Sequence, residues 1–173
     1  MDDLARLLVA ARDGDRTALV AAVRRAQPEV WRFLAHLDGS GEADDLTQET
    51  FVRAFRSLPG YRGEAGGRTW LLGIAHRTWV DAIRRRTRQR RLRDRLGSRA
   101  DTHAPDLTGA VEVGDLLGRL DPDRRAAFVL TQVVGMSYEE AAVALGVPIG
   151  TIRSRVARAR RDLVEGLADE QTG

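Results

Sequence analysis

The pattern of hydrophobic and polar positions is helical along most of the chain. Apolar residues in "LARLLVAA" and "ALVAAVRRAQPEVWRFLAHL" recur three and four positions apart, which is typical of amphipathic helices rather than strands. The same spacing returns in "EADDLTQETFVRAFRSL" and "WLLGIAHRTWVDAIRRR", where Thr69 is placed to cap the last helix. Breaks at Gly14, at "DGSG" (38–41) and at Pro59 separate these segments. The pattern therefore predicts four helices packed as one bundle.

A second helical unit follows a polar segment. Periodicity fades in "LGSRADTHAPDLTG", whose small and polar composition indicates a linker. Beyond it, Asp121 with Pro122 indicates one helix start, and Ser137 with Glu140 forms a capping box at another. No alternating strand pattern appears. We predict an all-α fold of two small helical domains, 1–95 and 111–170, joined by a flexible linker, 96–110.

The segment "SYEEAAVALGVPIGTIRSRVARARR" (137–161) has the pattern of a helix-turn-helix. Its first helix ends at Gly146 and the next begins near Pro148, so the turn is short. Ile152 and Val156 lie four residues apart and should pack inward. The opposite side then carries Thr151, Arg153, Ser154, Ala157 and Arg158, residue types suited to base edges and phosphates. The pattern predicts DNA binding, although a merely solubilising surface helix remains an alternative.

Charge is unevenly distributed. The formal net charge is +3, and the chain has no lysine, so every Lys or Arg position is arginine. Arginines concentrate in residues 84–95 and 153–161, which favours two contacts with a polyanion. Trp70 and Trp79 precede the first run and could either stack on unpaired bases or pack in a core. The first arginine run could also be a solvated helix end.

Several classes of function find no support in the sequence. The chain of 173 residues has no cysteine, so disulfides, thiolate metal sites and cysteine nucleophiles are excluded. We find no catalytic constellation, no metal site and no cofactor motif, and His76 alone is an ordinary surface or half-buried histidine. No apolar run is long enough to span a membrane, and the N-terminus lacks a signal-peptide pattern. A cytoplasmic protein without a small-molecule ligand is expected.

An acidic helix contrasts with these basic runs. In "EADDLTQETFVRAF" (42–55), Asp45 and Glu49 are four residues apart and Gln48 lies beside them, so one helical face presents all three. The acids could be ordinary solvated surface, as Glu42 and Asp44 could be. Alternatively, the protein binds two partners of opposite charge.

Three ordered motifs carry a family resemblance. "DDLTQETFVRAF", "RTWLLGIAHRTWVDAIRRR" and "GMSYEEAAVALGVPIGTIRSRVARARRDL" resemble extracytoplasmic-function (ECF) sigma factors of the sigma-70 family, especially the sigma-C-like actinobacterial group. The resemblance implies a sigma-2 and a sigma-4 domain without catalytic activity. Sigma-2 would bind core RNA polymerase and open the promoter at the minus-ten element, and sigma-4 would recognise the minus-35 element.

The resemblance also implies site residues. Asp45, Gln48 and Glu49 would bind the beta-prime clamp helices of the polymerase, and the beta flap is a further expected partner. Together with the basic run, the resemblance implies a minus-ten DNA interface. Its residues would be Tyr61, Arg62, Trp70, His76, Arg77, Asp81, Arg84 and Arg85. The minus-35 interface would comprise Thr151, Arg153, Ser154, Ala157, Arg158 and Arg160. Family members often have Arg in place of Gly73 and Asn in place of Arg77, which leaves the minus-ten preference open.

Two other classes of protein are alternatives to a sigma factor. A stand-alone helix-turn-helix regulator would bind duplex DNA without polymerase, usually as a dimer, but no dimerising heptad is evident. A nucleic-acid enzyme would need clustered carboxylates or an activated nucleophile, which we do not find. For a sigma factor, control by an anti-sigma factor is a possible further interaction.

Overall fold

Eight α-helices, a 3-10 turn (Leu58–Gly60) and a π-helical turn (Val129–Val133) make up the regular structure in the described part of the chain, which contains no strand. The computed structural model describes residues 2–95 and 113–171, so the predicted linker, 96–110, lies outside the described residues. The helices are α1 (Asp3–Arg12), α2 (Arg16–Asp38), α3 (Ser40–Ser57), α4 (Gly67–Arg95), α5 (Val113–Arg119), α6 (Pro122–Phe128), α7 (Tyr138–Leu145) and α8 (Ile149–Gln171). The all-α prediction is confirmed.

Capping side chains set several helix starts. The Ser137 hydroxyl accepts a hydrogen bond from the Glu140 amide at 3.1 Å, and the Glu140 carboxylate accepts one from the Ser137 amide at 2.8 Å, so the predicted capping box of α7 is confirmed. The prediction that Thr69 caps α4 was wrong, because α4 begins two residues earlier at Gly67. Asp2, the cap of α1, also accepts a hydrogen bond from the Gly67 amide at 3.1 Å. That contact between the two helix starts was not visible in the local pattern.

Helices α1 to α4 enclose a core centred on α2 and α4. The fully buried side chains of this bundle include Phe33, Leu34 and Leu37 from α2 and Leu71 and Leu72 from α4. Trp79 is also 0 % exposed, so its role is packing rather than base stacking. Burial of such aliphatic and aromatic side chains is the main force that holds amphipathic helices together.

Helices α6, α7 and α8 form the second unit, in which α7 and α8 make the predicted helix-turn-helix. Gly146 closes α7 in the left-handed conformation at φ 67°, which glycine adopts without steric cost. Ile152 and Val156 are buried at 0 % and 1 % exposure, as predicted. A π-helical turn, Val129–Val133, continues α6 toward α7.

The two units pack against each other and share one hydrophobic core. Helix α7 lies on α4, where a Cβ placed at Gly73 would come within 2.9 Å of the Ala144 carbonyl oxygen. Arg125 on α6 donates a hydrogen bond to the Leu37 carbonyl of α2 at 2.6 Å, and its guanidinium lies 5.9 Å from the centre of the Trp79 ring. The second unit therefore covers part of α4.

Candidate nucleic-acid and protein interfaces

Helix α8 presents the predicted base-reading residues on its outer side. Because Ile152 and Val156 face the core, the residues between them point away from it. Arg153, Ser154, Ala157 and Arg158 are exposed and Thr151 is half-buried. The Ser154 hydroxyl donates to the Thr151 carbonyl at 3.0 Å. The structure thus brings these five predicted residues together on one accessible helical face.

Other arginines of α8 are engaged within the second unit. Arg160 donates to the Gln132 side chain at 2.6 Å, and Arg155 forms an ion pair with Asp123. Within the described residues, by contrast, Arg153 and Arg158 have no ion pair or side-chain hydrogen bond. Their guanidinium groups are free to bind a ligand, whereas Arg160 must first leave Gln132.

Helix α3 presents the predicted acidic face. Asp45, Gln48 and Glu49 are all exposed, while Leu46 and Thr50 of the same helix are buried. This alternation follows from helical geometry, because residues three and four apart share a side. The neighbouring Asp44 differs from them, since it accepts a hydrogen bond from the Trp31 indole at 2.7 Å.

Arg53 connects the acidic face of α3 to α4. Its guanidinium donates to the Glu49 carboxylate at 2.7 Å and to the Asp81 carboxylate, also at 2.7 Å. These hydrogen bonds raise the pKa of Arg53 above its ordinary value. The four-residue spacing of Glu49 and Arg53 in the sequence is that of an ion pair within one helix. The contact of Arg53 with Asp81, however, exists only because α3 packs against α4. Sequence reasoning missed Arg53 for that reason.

Contacts of Tyr61 hold the loop before α4 against the protein. Tyr61 is 4 % exposed, its hydroxyl donates to the Ala65 carbonyl at 2.8 Å, and its ring lies 4.7 Å from that of Trp70. Burial, followed by the charge of Asp2, raises the pKa of Tyr61. Arg62 is exposed and Trp70 is half-buried. The Tyr61 side chain therefore packs against the protein, whereas the Arg62 side chain faces solvent.

The middle of α4 holds the remaining predicted minus-ten residues. Arg77, Asp81, Arg84 and Arg85 are exposed. His76 is half-buried, and burial lowers its pKa to about 4, opposed by the charge of Asp123 on α6 and aided by those of Arg77 and Arg155. His76 is therefore neutral near pH 7.

A basic groove runs beside these residues. Its volume is about 670 Å³, and its walls include Arg53 and Arg56 of α3, Arg77 and Arg84 of α4, and residues 143–146 of the helix-turn-helix. Asp81 also lines the groove and pairs with Arg53, but the four arginines outnumber this one carboxylate, so the potential there is positive and attracts anions. The groove lies where the second unit meets the first.

Two arginines that sequence reasoning left unassigned join the two units. Arg68 donates to the Glu29 carboxylate at 2.6 Å and 2.9 Å and also to the Val134 carbonyl. Arg125 donates to the Leu120 and Gly118 carbonyls besides Leu37, and burial lowers its pKa. Nothing in the local sequence distinguishes either from the many surface arginines.

Neither a membrane span nor a metal-binding cluster is found in the part of the chain that the structure describes. None of its helices is long and apolar enough to cross a bilayer. No three His, Asp or Glu side chains in those residues come together in a way that could hold a metal ion.

Two protein-family models match the chain. "Sigma-70 region 2" matches residues 22–89 and "Sigma-70, region 4" matches residues 110–163. The chain is 44 % identical to a probable RNA polymerase sigma-C factor of Mycobacterium bovis, over 96 % of this chain and 93 % of the relative. It is 32 % identical to the ECF RNA polymerase sigma-E factor of Haemophilus influenzae, over 86 % of this chain and 87 % of the relative.

Solved structures show the same architecture. CnrH in complex with the cytosolic domain of CnrY matches with a TM-score of 0.73 and 29 % identity, over 96 % of this chain and 99 % of that one. The sigma factor RpoE of Bartonella quintana, in complex with the anti-sigma factor NepR, matches with a TM-score of 0.71 and 29 % identity, over 87 % and 96 % of the two chains.

Proposed function

This chain belongs to the ECF sigma factors of the sigma-70 family, and from that premise we propose which of its residues bind polymerase and promoter. As a sigma factor, it binds core RNA polymerase and directs it to promoters for transcription initiation. Sigma factors act by binding rather than by catalysis, and we propose the same for this chain. The observation that carries the assignment of surfaces is their separation by charge, with an acidic face on α3 and basic faces on α4 and α8.

The exposed face of Asp45, Gln48 and Glu49 is the proposed contact with the beta-prime clamp helices. Two carboxylates and an amide on one helical side would complement a basic protein surface, because opposite charges steer docking and fix its register. Arg53 holds the Glu49 carboxylate in place by its 2.7 Å hydrogen bond. This preorganisation reduces the side-chain entropy that the carboxylate loses on binding.

Promoter DNA is the proposed ligand of the two basic faces. On α8, Arg153 and Ser154 would read minus-35 bases, with Thr151, Ala157 and Arg158 beside them and Arg160 near the backbone. On α4 and its preceding loop, the proposed minus-ten interface comprises Arg62, Trp70, His76, Arg77, Asp81, Arg84 and Arg85, with Tyr61 supporting the loop from within. Capturing unpaired bases offsets an unstacking cost of about a few kcal/mol per base.

The two proposed DNA interfaces divide the chain into two modules. Residues 1–95 would act as sigma-2 and 111–170 as sigma-4, with 96–110 as the linker. His76 lies beside Asp123 of α6 and Arg155 of α8, and Gly73 lies against α7. For a DNA strand to reach that end of α4, the second module must therefore move away from the first. The β flap, expected to bind sigma-4, would stabilise the separated state.

An anti-sigma factor is a further proposed partner, and a cytoplasmic location follows from the need to meet polymerase. The matched RpoE is described in complex with an anti-sigma factor. A protein that holds the two modules together, as they pack in this structure, would prevent the separation that DNA needs to reach α4. Copurification of such a protein from the source cells would identify it.

Run-off transcription from genomic fragments tests the function. Purified core polymerase is used with and without this chain. Discrete new transcripts that appear only with the chain are expected, and their start sites define both promoter elements. Tight binding of the isolated chain to a duplex, without any polymerase-dependent transcript, would instead support a stand-alone helix-turn-helix regulator.

A further inference from the structure

Arg53 of α3 holds two carboxylates that belong to different proposed interfaces. Its Nε atom donates to Glu49, on the acidic face of α3, and its Nη1 atom donates to Asp81 of α4, both at 2.7 Å. Its third nitrogen, Nη2, has no hydrogen bond to any residue that the structure describes. One positive charge is therefore shared between two negative charges, and neither carboxylate is fully neutralised.

Asp81 is the acidic member of two otherwise basic concave surfaces. It lines the basic groove and also a second surface that it forms with Arg85, Arg88 and Gln89. No other Asp or Glu of the described residues lines either surface. A carboxylate in this position repels the DNA phosphates that the surrounding arginines attract. The degree to which Arg53 neutralises Asp81 therefore affects the affinity of α4 for DNA.

Glu49 is accessible to a basic partner while Arg53 holds it. Its side chain is 47 % exposed, and no described residue other than Arg53 donates to its carboxylate, which leaves Oε2 available. A second cation at that carboxylate would repel the Arg53 guanidinium and weaken its hydrogen bond to Oε1. Arg53 could then turn toward Asp81, where Nη1 and Nη2 together can bind both carboxylate oxygens.

We propose that Arg53 couples the two interfaces, so that polymerase bound at Glu49 shifts the Arg53 charge to Asp81 and raises the affinity of α4 for DNA. This coupling rests on the proposed function, which assigns Glu49 to polymerase and α4 to DNA. Arg53 is a positioning residue, since it acts through the two carboxylates. The coupling is reciprocal, so DNA at α4 raises the affinity for polymerase by the same factor. Because all three side chains are partly exposed, the factor should be about two- to fivefold.

Removal of the Glu49 charge should imitate the bound polymerase. Glu49→Gln leaves Arg53 to Asp81 alone. The matched control, Asp45→Asn, removes an equal charge from an exposed position one turn earlier that has no contact with Arg53. Binding of the full chain to a mixed-sequence duplex is measured without polymerase. We expect Glu49→Gln to raise the affinity for DNA about two- to fivefold more than Asp45→Asn does.

Duplex binding through α8 would hide changes at α4. Every chain in this comparison therefore carries Arg153→Ala/Arg158→Ala, which removes two exposed guanidiniums of the proposed minus-35 interface. Low salt keeps the weakened binding measurable. Circular dichroism and thermal melting check that each chain is folded.

The gain should disappear when the connection between the two carboxylates is removed. In an Arg53→Gln background, and separately in an Asp81→Asn background, Glu49→Gln should raise the affinity no more than Asp45→Asn does. Persistence of the gain in either background would overturn the coupling, because Glu49 would then act on DNA through its own charge. If Arg53→Gln does not fold, the Asp81→Asn background gives the same test.

Equal effects of Glu49→Gln and Asp45→Asn in the starting chain would also overturn the coupling. Arg53 would then be only a structural bond between α3 and α4, since release of one carboxylate would change nothing at the other.

The holoenzyme provides a second test. With saturating core polymerase, on a promoter found by run-off transcription and with α8 intact, the gain that Glu49→Gln gives to the free chain should be lost, because polymerase already occupies Glu49 in the wild type. A two- to fivefold gain that persists would contradict any effect of polymerase on Arg53. If the chain does not bind polymerase, the proposed function fails while the free-chain result still stands, so the two failures are distinguishable.

Discussion

The backbone at Gly73 lies so close to Ala144 that a Cβ at position 73 would come within 2.9 Å of the Ala144 carbonyl oxygen. This contact joins the two modules, since Gly73 belongs to α4 and Ala144 to α7. Glycine normally lowers helix stability because of its backbone entropy. Here its missing side chain permits the approach of two helices.

Substitution of Gly73 should therefore separate the modules. Gly73→Ala is expected to lower the free energy of unfolding by about 1–2 kcal/mol through overpacking and to increase the radius of gyration in solution scattering. The control is Gly166→Ala in α8, where the added Cβ would meet only Leu116 at 3.8 Å. That change should stabilise by about 0.5–1 kcal/mol. Similar stabilisation by both variants would show that the Gly73 contact is not maintained.

Substitution of Arg125 should lower the free energy of unfolding far more than substitution of its neighbour Arg124. Arg125→Ala leaves carbonyls of α2 and of the α5 region without their donor, so we expect a loss of about 2–4 kcal/mol in the free energy of unfolding. Arg124→Ala breaks a half-exposed pair with Asp162 and should cost less than about 1 kcal/mol. Urea denaturation measures both. Equal effects would mean that the buried contacts of Arg125 contribute nothing beyond a surface ion pair.

The free energy of unfolding should fall in mild acid because of His76. Its folded-state pKa of about 4 lies below the ordinary 6.5, so the unfolded chain binds the proton first. The stabilising contribution is complete above pH 6.5 and decreases as pH falls toward 4, by roughly 2 kcal/mol after allowance for partial exposure.

The His76→Gln variant isolates this effect from the carboxylates that titrate nearby. Wild type and variant are compared by urea denaturation at about pH 7.5, 6, 5 and 4.5, a series that starts above the ordinary pKa of 6.5 and approaches the folded-state pKa of about 4. The stability of wild type relative to the variant should decline through that range. A constant difference would show that folding does not lower the pKa of His76.

Reversing the acidic face of α3 should prevent polymerase binding. In Asp45→Arg/Glu49→Arg, cations replace both carboxylates at exposed positions, so like charges would meet on the proposed basic partner surface. We expect affinity for core polymerase to fall at least 100-fold while the thermal midpoint changes little. The charge-matched control is Glu139→Arg/Glu165→Arg, two exposed positions in the second module. Retention of binding by the Asp45/Glu49 variant would remove this face from the proposed interface.

Arg153 should contribute to discrimination between promoter sequences, whereas Arg161 should contribute only sequence-independent affinity for DNA. Arg153→Ala removes an exposed guanidinium from the outer face of α8; we expect a loss of about 1–3 kcal/mol in discrimination at one minus-35 base pair. Arg161→Ala, also exposed, should weaken all sequences alike. Holoenzyme binding to single-base variants of a mapped promoter distinguishes these effects. A uniform loss with Arg153→Ala would assign that residue to phosphate instead.

The sequence alone determined the local elements and which sides of them face outward. Hydrophobic spacing placed Ile152 and Val156 inward and Arg153 outward, and it put Asp45, Gln48 and Glu49 on one exposed side of α3, as the structure confirms. The capping box at Ser137 was equally readable. These features depend on helical periodicity and on neighbours within four residues, which any stretch of sequence records.

Only the tertiary structure decided how the helices and modules meet. Sequence could not choose between stacking and packing for Trp79, which proves fully buried; nor could it separate Arg53, Arg68 and Arg125 from other arginines. The partners of these three lie 28, 39 and 88 residues away in the chain. Such contacts depend on where distant helices pack and how closely their backbones approach, as at Gly73 and Ala144. Local periodicity fixes the direction of a side chain, but the identity of its partner depends on packing between segments far apart in sequence.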